Sequence, residues 1–297
     1  MGAFGTLDTS TVVRSTPVER LDLSGKRLTV VGGTNGLGQA IARQALALGA
    51  DVTIVGRTLR DDRHERLHFV QADLSSMKEA VRLGEELPVE NQDVVLFTNG
   101  ITAAKVREET PEGIERDMAI SYLSRYAMLR GLDERIGTAR AAGSAPARVF
   151  IMAGPGGDQE GDPGDLNALK DYNQNTAHMN TVAANEALTV HGASTTPGPV
   201  YFGLNPGLIK TDIRANYLGE GSFAHKITEA LVGLLSQSAQ TYAKRIVPLL
   251  FTDDLDGRNG LMFDRKARPI RVSLSMTPQR VDSFMTASEE LLRTAVA

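Results

Sequence analysis

Leu28-Thr29-Val30-Val31-Gly32-Gly33-Thr34-Asn35-Gly36-Leu37-Gly38-Gln39-Ala40-Ile41-Ala42 is the stretch that decides the fold. It opens as an apolar, mostly β-branched run, breaks at a cluster of glycines, and continues as the helical run Gln39–Leu48. This is a strand, a tight turn and a helix start. Glycines at such a turn permit positive φ, let a pyrophosphate approach bare backbone, and allow the helix to pack closely on the strand. The anion would then rest on the free N–H groups of the new helix. The spacing Gly32-x3-Gly36-x-Gly38 departs from the general G-x-G-x-x-G fingerprint, so the turn needs support from the rest of the chain.

Composition narrows the field. The 297 residues, 41% hydrophobic and 23% charged, suit a doubly wound α/β unit with a large core, and no Pro/Gly/Ser linker divides them. Residues 1–22 show neither helical nor strand period and read as an irregular arm; residues 23–297 form the expected single domain. A net charge of −4 with scattered Lys and Arg argues against nucleic acid as a partner. The first 20 residues carry Arg14 and Arg20 and no apolar core of a signal peptide, and no long apolar run reaches membrane-spanning length. A cytoplasmic protein is expected. There is no cysteine, and the five histidines lack metal-ligand spacing with carboxylates, so no metal is expected.

After the first βα unit, Asp51–Val55 reads as a second strand that closes in Gly56-Arg57-Thr58. An acidic residue after this strand would bind the adenosine ribose hydroxyl and repel a 2′-phosphate. Arg57 stands there instead, with Arg60 and Arg63 close behind, and a guanidinium can fork onto a phosphate. NADP(H) is therefore expected over NAD(H). Further strands are expected at Leu67–Gln71, Asp93–Phe97, Val149–Met152, Val200–Leu204 and Gly260–Asp264. Helices are expected at Lys78–Leu87, Ala119–Leu132, Thr176–His191, within Ile227–Phe251 and at Gln279–Thr294. Asp73 suits a turn or a helix N-cap before Ser75-Ser76 as well as a cofactor contact.

Four phrases in order resemble the short-chain dehydrogenase/reductase (SDR) superfamily: VVGGTNGLG for its TGxxxGxG turn, Ala72-Asp73-Leu74, Phe97-Thr98-Asn99-Gly100 for NNAG, and Asn205–Thr211 for PGxxxT. The tail around Gly260–Phe263 is similar to the retinol-dehydrogenase-like branch. The resemblance implies a Rossmann-type, mostly parallel seven-stranded sheet. It also implies cofactor contacts from Gly32, Thr34, Asn35, Gly36, Leu37, Gly38, Arg57, Asp73, Leu74, Thr98, Asn99, Gly100, Pro206, Gly207, Ile209 and Thr211. A substrate lid at about 213–233, with Tyr217, Leu218 and Phe223, suggests a moderately apolar small molecule. The helices Ala119–Leu132 and Thr176–His191 would build a homo-dimer or homo-tetramer, although the stripe Met118, Tyr122, Leu123, Tyr126 and Leu129 suits core equally well.

The sequence leaves the family at its catalytic tetrad. Alignment puts Ser121 at the Asn position, Gly154 at the Ser position, His178 at the Tyr position and Val182 at the Lys position. His178 suits a replacement proton donor, since imidazole titrates near neutrality, or a half-buried polar residue of an ordinary helix. The loop Ala153–Ala168 carries Asp158, Glu160, Asp162 and Asp165. Its Gly161-Asp162-Pro163-Gly164 resembles a stretch of fungal bifunctional reductase/Diels–Alderase enzymes of indole-alkaloid secondary metabolism, SDR relatives that also lost the tetrad. That resemblance implies Asp162 working with Arg125; the bland alternative is an Asp-Pro-Gly turn. The expected function is atypical NADP(H)-dependent reduction of a carbonyl or imine/iminium group through His178, Asp162, Arg125 or Ser121. Non-redox chemistry on an NADP scaffold and a catalytically silent NADP-binding protein are the alternatives.

Overall fold

In the computed structural model, which describes residues 5–195, 197–207 and 239–297, eight strands form one sheet. They are β1 (Arg27–Val31), β2 (Asp51–Gly56), β3 (Leu67–Gln71), β4 (Val94–Phe97), β5 (Arg148–Met152), β6 (Val200–Leu204), β7 (Met262–Phe263) and β8 (Pro269–Ile270). Their order is β3-β2-β1-β4-β5-β6-β7-β8, parallel throughout except for antiparallel β7 and β8. The α/β class and mostly parallel sheet are as expected; the strand count is eight, not seven. The extra strand follows from Asp264. Its carboxylate accepts from the backbone N–H groups of Lys266 at 2.8 Å and Arg268 at 2.9 Å and pairs with the Arg268 guanidinium at 2.6 Å, so the chain turns back along β7.

Strand alternation sorts the core into two layers. Leu28, Val30, Ile54, Leu96 and Phe150 face α1 (Gly36–Ala47) and the later helix Ala239–Phe251, whereas Val31, Val95, Phe97, Val149 and Ile151 face the opposite layer. That layer holds α2 (Met77–Glu86), the short α3 (Arg116–Met118), a π-helical turn Ala119–Leu123, α4 (Ser124–Leu132) and α5 (Gln174–Ser194). In chain order, Ala239–Phe251 is α6 and Pro278–Val296 is α7. Side-chain caps set several starts: Ser76 accepts from Glu79 N, Asn173 from Asn175 N and Thr176 N, and Thr277 from Arg280 N.

The stripe on the expected helix Ala119–Leu132 is core. Met118, Tyr122, Leu123 and Leu129 are buried within the chain. Tyr122 OH lies 2.5 Å from Ser288 Oγ, and Tyr126 OH donates to Glu289 Oε2 at 3.0 Å, so the chain's own α7 lies against the surface expected to meet a second copy. The helix α5, expected to share that role, is buried on nearly all its faces. The arm before residue 22 also returns to the body: Asp8 N donates to Pro269 O at 3.0 Å, Arg271 N to Thr6 O at 2.8 Å, and Arg14 N to Asp254 Oδ2 at 2.8 Å.

Between β1 and β4 the strand order reverses. Open α/β sheets bind ligands outside the carboxyl ends of their strands at such a point.

Candidate active site

A cleft of about 590 Å³ opens there. The glycine turn forms its floor. Gly32 has φ +85°, and a Cβ on it would lie 2.4 Å from Asn99 N, so only glycine lets β1 and β4 end this close together. Asn35 caps α1 through backbone alone, without a side-chain hydrogen bond to the first turn. The N–H groups at the start of α1 therefore face no competing side-chain acceptor from the cap.

All the expected cofactor residues that lie among the described residues line this cleft: Gly32, Thr34, Asn35, Gly36, Leu37, Gly38, Arg57, Asp73, Leu74, Thr98, Asn99, Gly100, Pro206 and Gly207. Ile209, Thr211 and the expected lid at 213–233 lie outside the described residues. Thr98 Oγ1 donates to Val31 O at 2.9 Å, tying β4 to the turn. Asn99 donates its amide to Ile120 O at 2.6 Å and Ser124 Oγ at 3.1 Å, while its buried Oδ1 has no protein partner. Asp73 closes a turn on Ser75, accepting from its N at 3.0 Å and Oγ at 2.8 Å, and the N-cap role goes to Ser76. Burial pushes the Asp73 carboxyl up, but the Ser75 hydrogen bonds and the charges of Arg57 and Arg116 outweigh it and hold the group below its usual range. A glycine cradle beside free helix N–H groups, an orphaned buried amide oxygen and exposed Arg57 at the far end fit a dinucleotide.

Three of the four expected catalytic residues line the same cleft: Ser121, Arg125 and His178. His178 Nδ1 lies 2.7 Å from Asp117 Oδ2, and Asp117 is wholly buried. The other Asp117 oxygen accepts the Ser121 hydroxyl, and Ser121 Oγ accepts from Ile101 N at 2.9 Å. The π turn around Ser121 is of a kind frequent at functional sites. Burial opposes charge on the His178 ring, yet the Asp117 hydrogen bond and the charges of Asp117 and Glu115 outweigh it and raise its pKa above the usual histidine value.

Arg125 is buried under the cleft. Its Nη1 donates to Met152 O and Asn185 Oδ1, each at 2.9 Å, and its Nη2 donates to Asn99 O. Burial pushes its pKa down to about 9 against the opposing charge of Asp117. The expected pairing of Arg125 with Asp162 does not form. Asp162 is exposed and caps the short turn Pro163–Asp165, accepting from Gly164 N at 2.8 Å. The Asp-Pro-Gly sequence makes its local turn, and the Arg125 guanidinium bonds Met152 O, Asn185 and Asn99 O instead of Asp162. Of the other loop acids, Asp158 accepts from Leu274 N, and Asp165 from Leu169 N and Lys170 N.

At the lost serine the constraint lies in the backbone and not in space for a side chain. Gly154 has φ +119°, a conformation that L side chains rarely adopt, and a Cβ there would touch only Val182 Cγ1 at 3.8 Å. Sequence reasoning passed over Asp117, which precedes Ser121 by four residues and Arg125 by eight. That spacing places a carboxylate on the helix face that carries both candidate groups. Asn185 was also missed: it joins Arg125 to Ser121 O, to which its amide donates at 2.9 Å. It follows His178 by seven residues, the same face of α5. Among the described residues no group of three or more His, Cys, Asp or Glu could hold a metal ion, and no helix is long and apolar enough to cross a membrane.

No family model matches the chain. An uncharacterized oxidoreductase of Saccharomyces cerevisiae is 42% identical over 283 residues, which cover 94% of this chain and 92% of that protein. Two solved structures share the fold. A short chain dehydrogenase from Salmonella enterica aligns with TM-score 0.60 and 15% identity over 86% of this chain and all (100%) of its own. A short chain dehydrogenase from Shigella flexneri, crystallised with NADP, aligns with TM-score 0.58 and 16% identity over 83% of this chain and 100% of its own. With this relative matched along nearly its whole length, the chain belongs to the same family of oxidoreductases, and its sheet has the short-chain dehydrogenase fold.

Proposed function

We propose that the protein is an NADP(H)-dependent reductase of a moderately apolar carbonyl compound, with His178 as the proton donor. The observation that carries this reading is the His178–Asp117 bond in the cleft that also holds the glycine turn. NADPH would supply a hydride to the substrate carbon. Gly32 to Gly38 and the start of α1 would hold its pyrophosphate, and Arg57 its 2′-phosphate. Ile120, Met152 and Val182 line the cleft along with His178 and offer apolar surface to a substrate. His178, anchored through Nδ1, has Nε2 left to give a proton to the oxygen that becomes a hydroxyl. Exposed Arg57 carries the cofactor preference.

Loss of one charge-assisted contact costs on the order of 1.5–3 kcal/mol, less where solvent screens it. Arg57→Ala is therefore expected to weaken NADPH roughly tenfold and leave NADH nearly unchanged in calorimetric titrations. Equal affinity of the wild type for the two cofactors would contradict the assignment. The reaction itself is tested by NADPH consumption against a panel of apolar aldehydes and ketones. Turnover of at least one is expected, and none with a competently bound cofactor would contradict the reading.

A further inference from the structure

We infer that Asp117 is a positioning residue: it fixes the His178 ring through Nδ1 and stabilises its protonated form, so that the ring serves as the proton donor for carbonyl reduction. The inference deepens the function proposed above and rests on it for the reaction. The geometry of the pair stands by itself.

Asp117 has no exposure to solvent and would be costly to bury as an unpaired carboxylate. One oxygen meets His178 Nδ1 at 2.7 Å, and the other accepts the Ser121 hydroxyl. Ser121 is in turn pinned by Ile101 N at 2.9 Å, so the carboxylate is fixed from both sides. With Nδ1 bound to the carboxylate, the ring orientation and the tautomer are set, and Nε2 is the atom left for a substrate.

The charged groups around the pair come from several elements. Glu115, beside Asp117, is buried; one oxygen accepts from Met118 N at 2.7 Å, and its charge adds to that of Asp117 on His178. Arg125 acts on Asp117 from further along the same helical run, while its Nη groups donate to Asn99 O, Met152 O and Asn185. From the loop after β4, Arg107 acts on Glu115 while donating to Ala168 O at 3.0 Å and Asn167 O at 3.1 Å. Tyr172, on the loop before α5, lies in the field of Glu115 and Asp117 and donates to Ala104 O at 2.7 Å. Two carboxylates thus act on the ring, against the desolvation that disfavours its charge.

The consequence is a pH dependence. In reduction, the carbonyl carbon gains a C–H bond with both electrons from the reduced nicotinamide; the oxygen takes the Nε2 proton, and His178 becomes neutral. In oxidation, a neutral Nε2 must accept the hydroxyl proton. By favouring the protonated ring, Asp117 extends the first state to higher pH than an unpaired imidazole would allow and moves the second upward with it.

The test is a proton NMR titration of the histidine ring signals in the full chain, with and without saturating NADP⁺. The sequence has five histidines, and His178 is assigned by the signal that His178→Phe removes. Its midpoint is expected above about 6.5, to fall by about one to three pH units in Asp117→Asn, and to stay raised in Asp117→Glu. A wild-type midpoint at or below the ordinary value overturns the inference, even if Asp117→Asn does not fold. So does a midpoint that Asp117→Asn leaves in place. A raised, Asp117-dependent midpoint in a protein that reduces no carbonyl would support the pair and contradict the proposed function alone.

Discussion

His178→Phe is expected to lower kcat for NADPH-dependent carbonyl reduction by about 10²–10⁴-fold, the contribution of a positioned general acid, while NADPH affinity stays near that of the wild type. The ring is half-buried, the variant leaves Asp117 the Ser121 hydroxyl, and none of the glycine-turn residues depends on a His178 hydrogen bond. The pH dependence follows from the raised imidazole pKa. Reduction should be full where His178 is charged and should decline as pH rises through that pKa, whereas the residual activity of the variant should lack this limb. Steady-state rates across pH check both. Equal kcat for the two proteins on an identified substrate would remove His178 from the chemistry.

The second large effect falls on stability. Glu186 lies on α5 with about 1% exposure, one oxygen accepting from Ser273 N at 2.7 Å and the other from Gly156 N at 3.1 Å and Ser273 Oγ at 2.8 Å. It joins the loop after β5, which holds Gly154, to the segment leading into α7. Glu186→Leu leaves two buried backbone N–H groups without acceptors, at about 1–3 kcal/mol each, so a loss of roughly 2–6 kcal/mol is expected in denaturant unfolding. Glu186→Gln keeps one acceptor oxygen and should lose about half as much. Wild-type stability in Glu186→Leu would mean that other groups satisfy these donors.

Why the fold was legible and the catalytic site only partly so has a physical basis. The strand, glycine turn and helix at Leu28–Ala42 are local signals, and short apolar runs, most of them buried on both faces, reproduce the parallel strands to within a residue or so for β1 to β6. The eighth strand escaped because two residues carry no period; it exists through the Asp264 turn, a contact within a loop. The stripe on the Ala119–Leu132 helix could not be divided between core and interface, because periodicity records that a face is apolar and not what covers it. Here α7 lies against it.

At the site, the glycine turn and the ends of β2, β3 and β4 are placed by the sheet alone, so a reading from strand order brought those residues to one cleft. His178 and Arg125 also reached it, being carried on helices next to the sheet. Asp162 did not, since it lies on a loop whose path depends on its own hydrogen bonds. Asp117 was passed over because a carboxylate in a helix is ordinarily solvated. Only the meeting of that helix with α5 buries it against His178.

The most direct test of the account is a crystal structure of the full chain with NADP⁺. The account predicts the pyrophosphate on the turn Gly32–Gly38, the 2′-phosphate within hydrogen-bond reach of Arg57, and the nicotinamide beside His178, with Nδ1 of that ring still on Asp117. A nicotinamide remote from His178 and turned toward Asp162, or a cofactor seated outside this cleft, would contradict it.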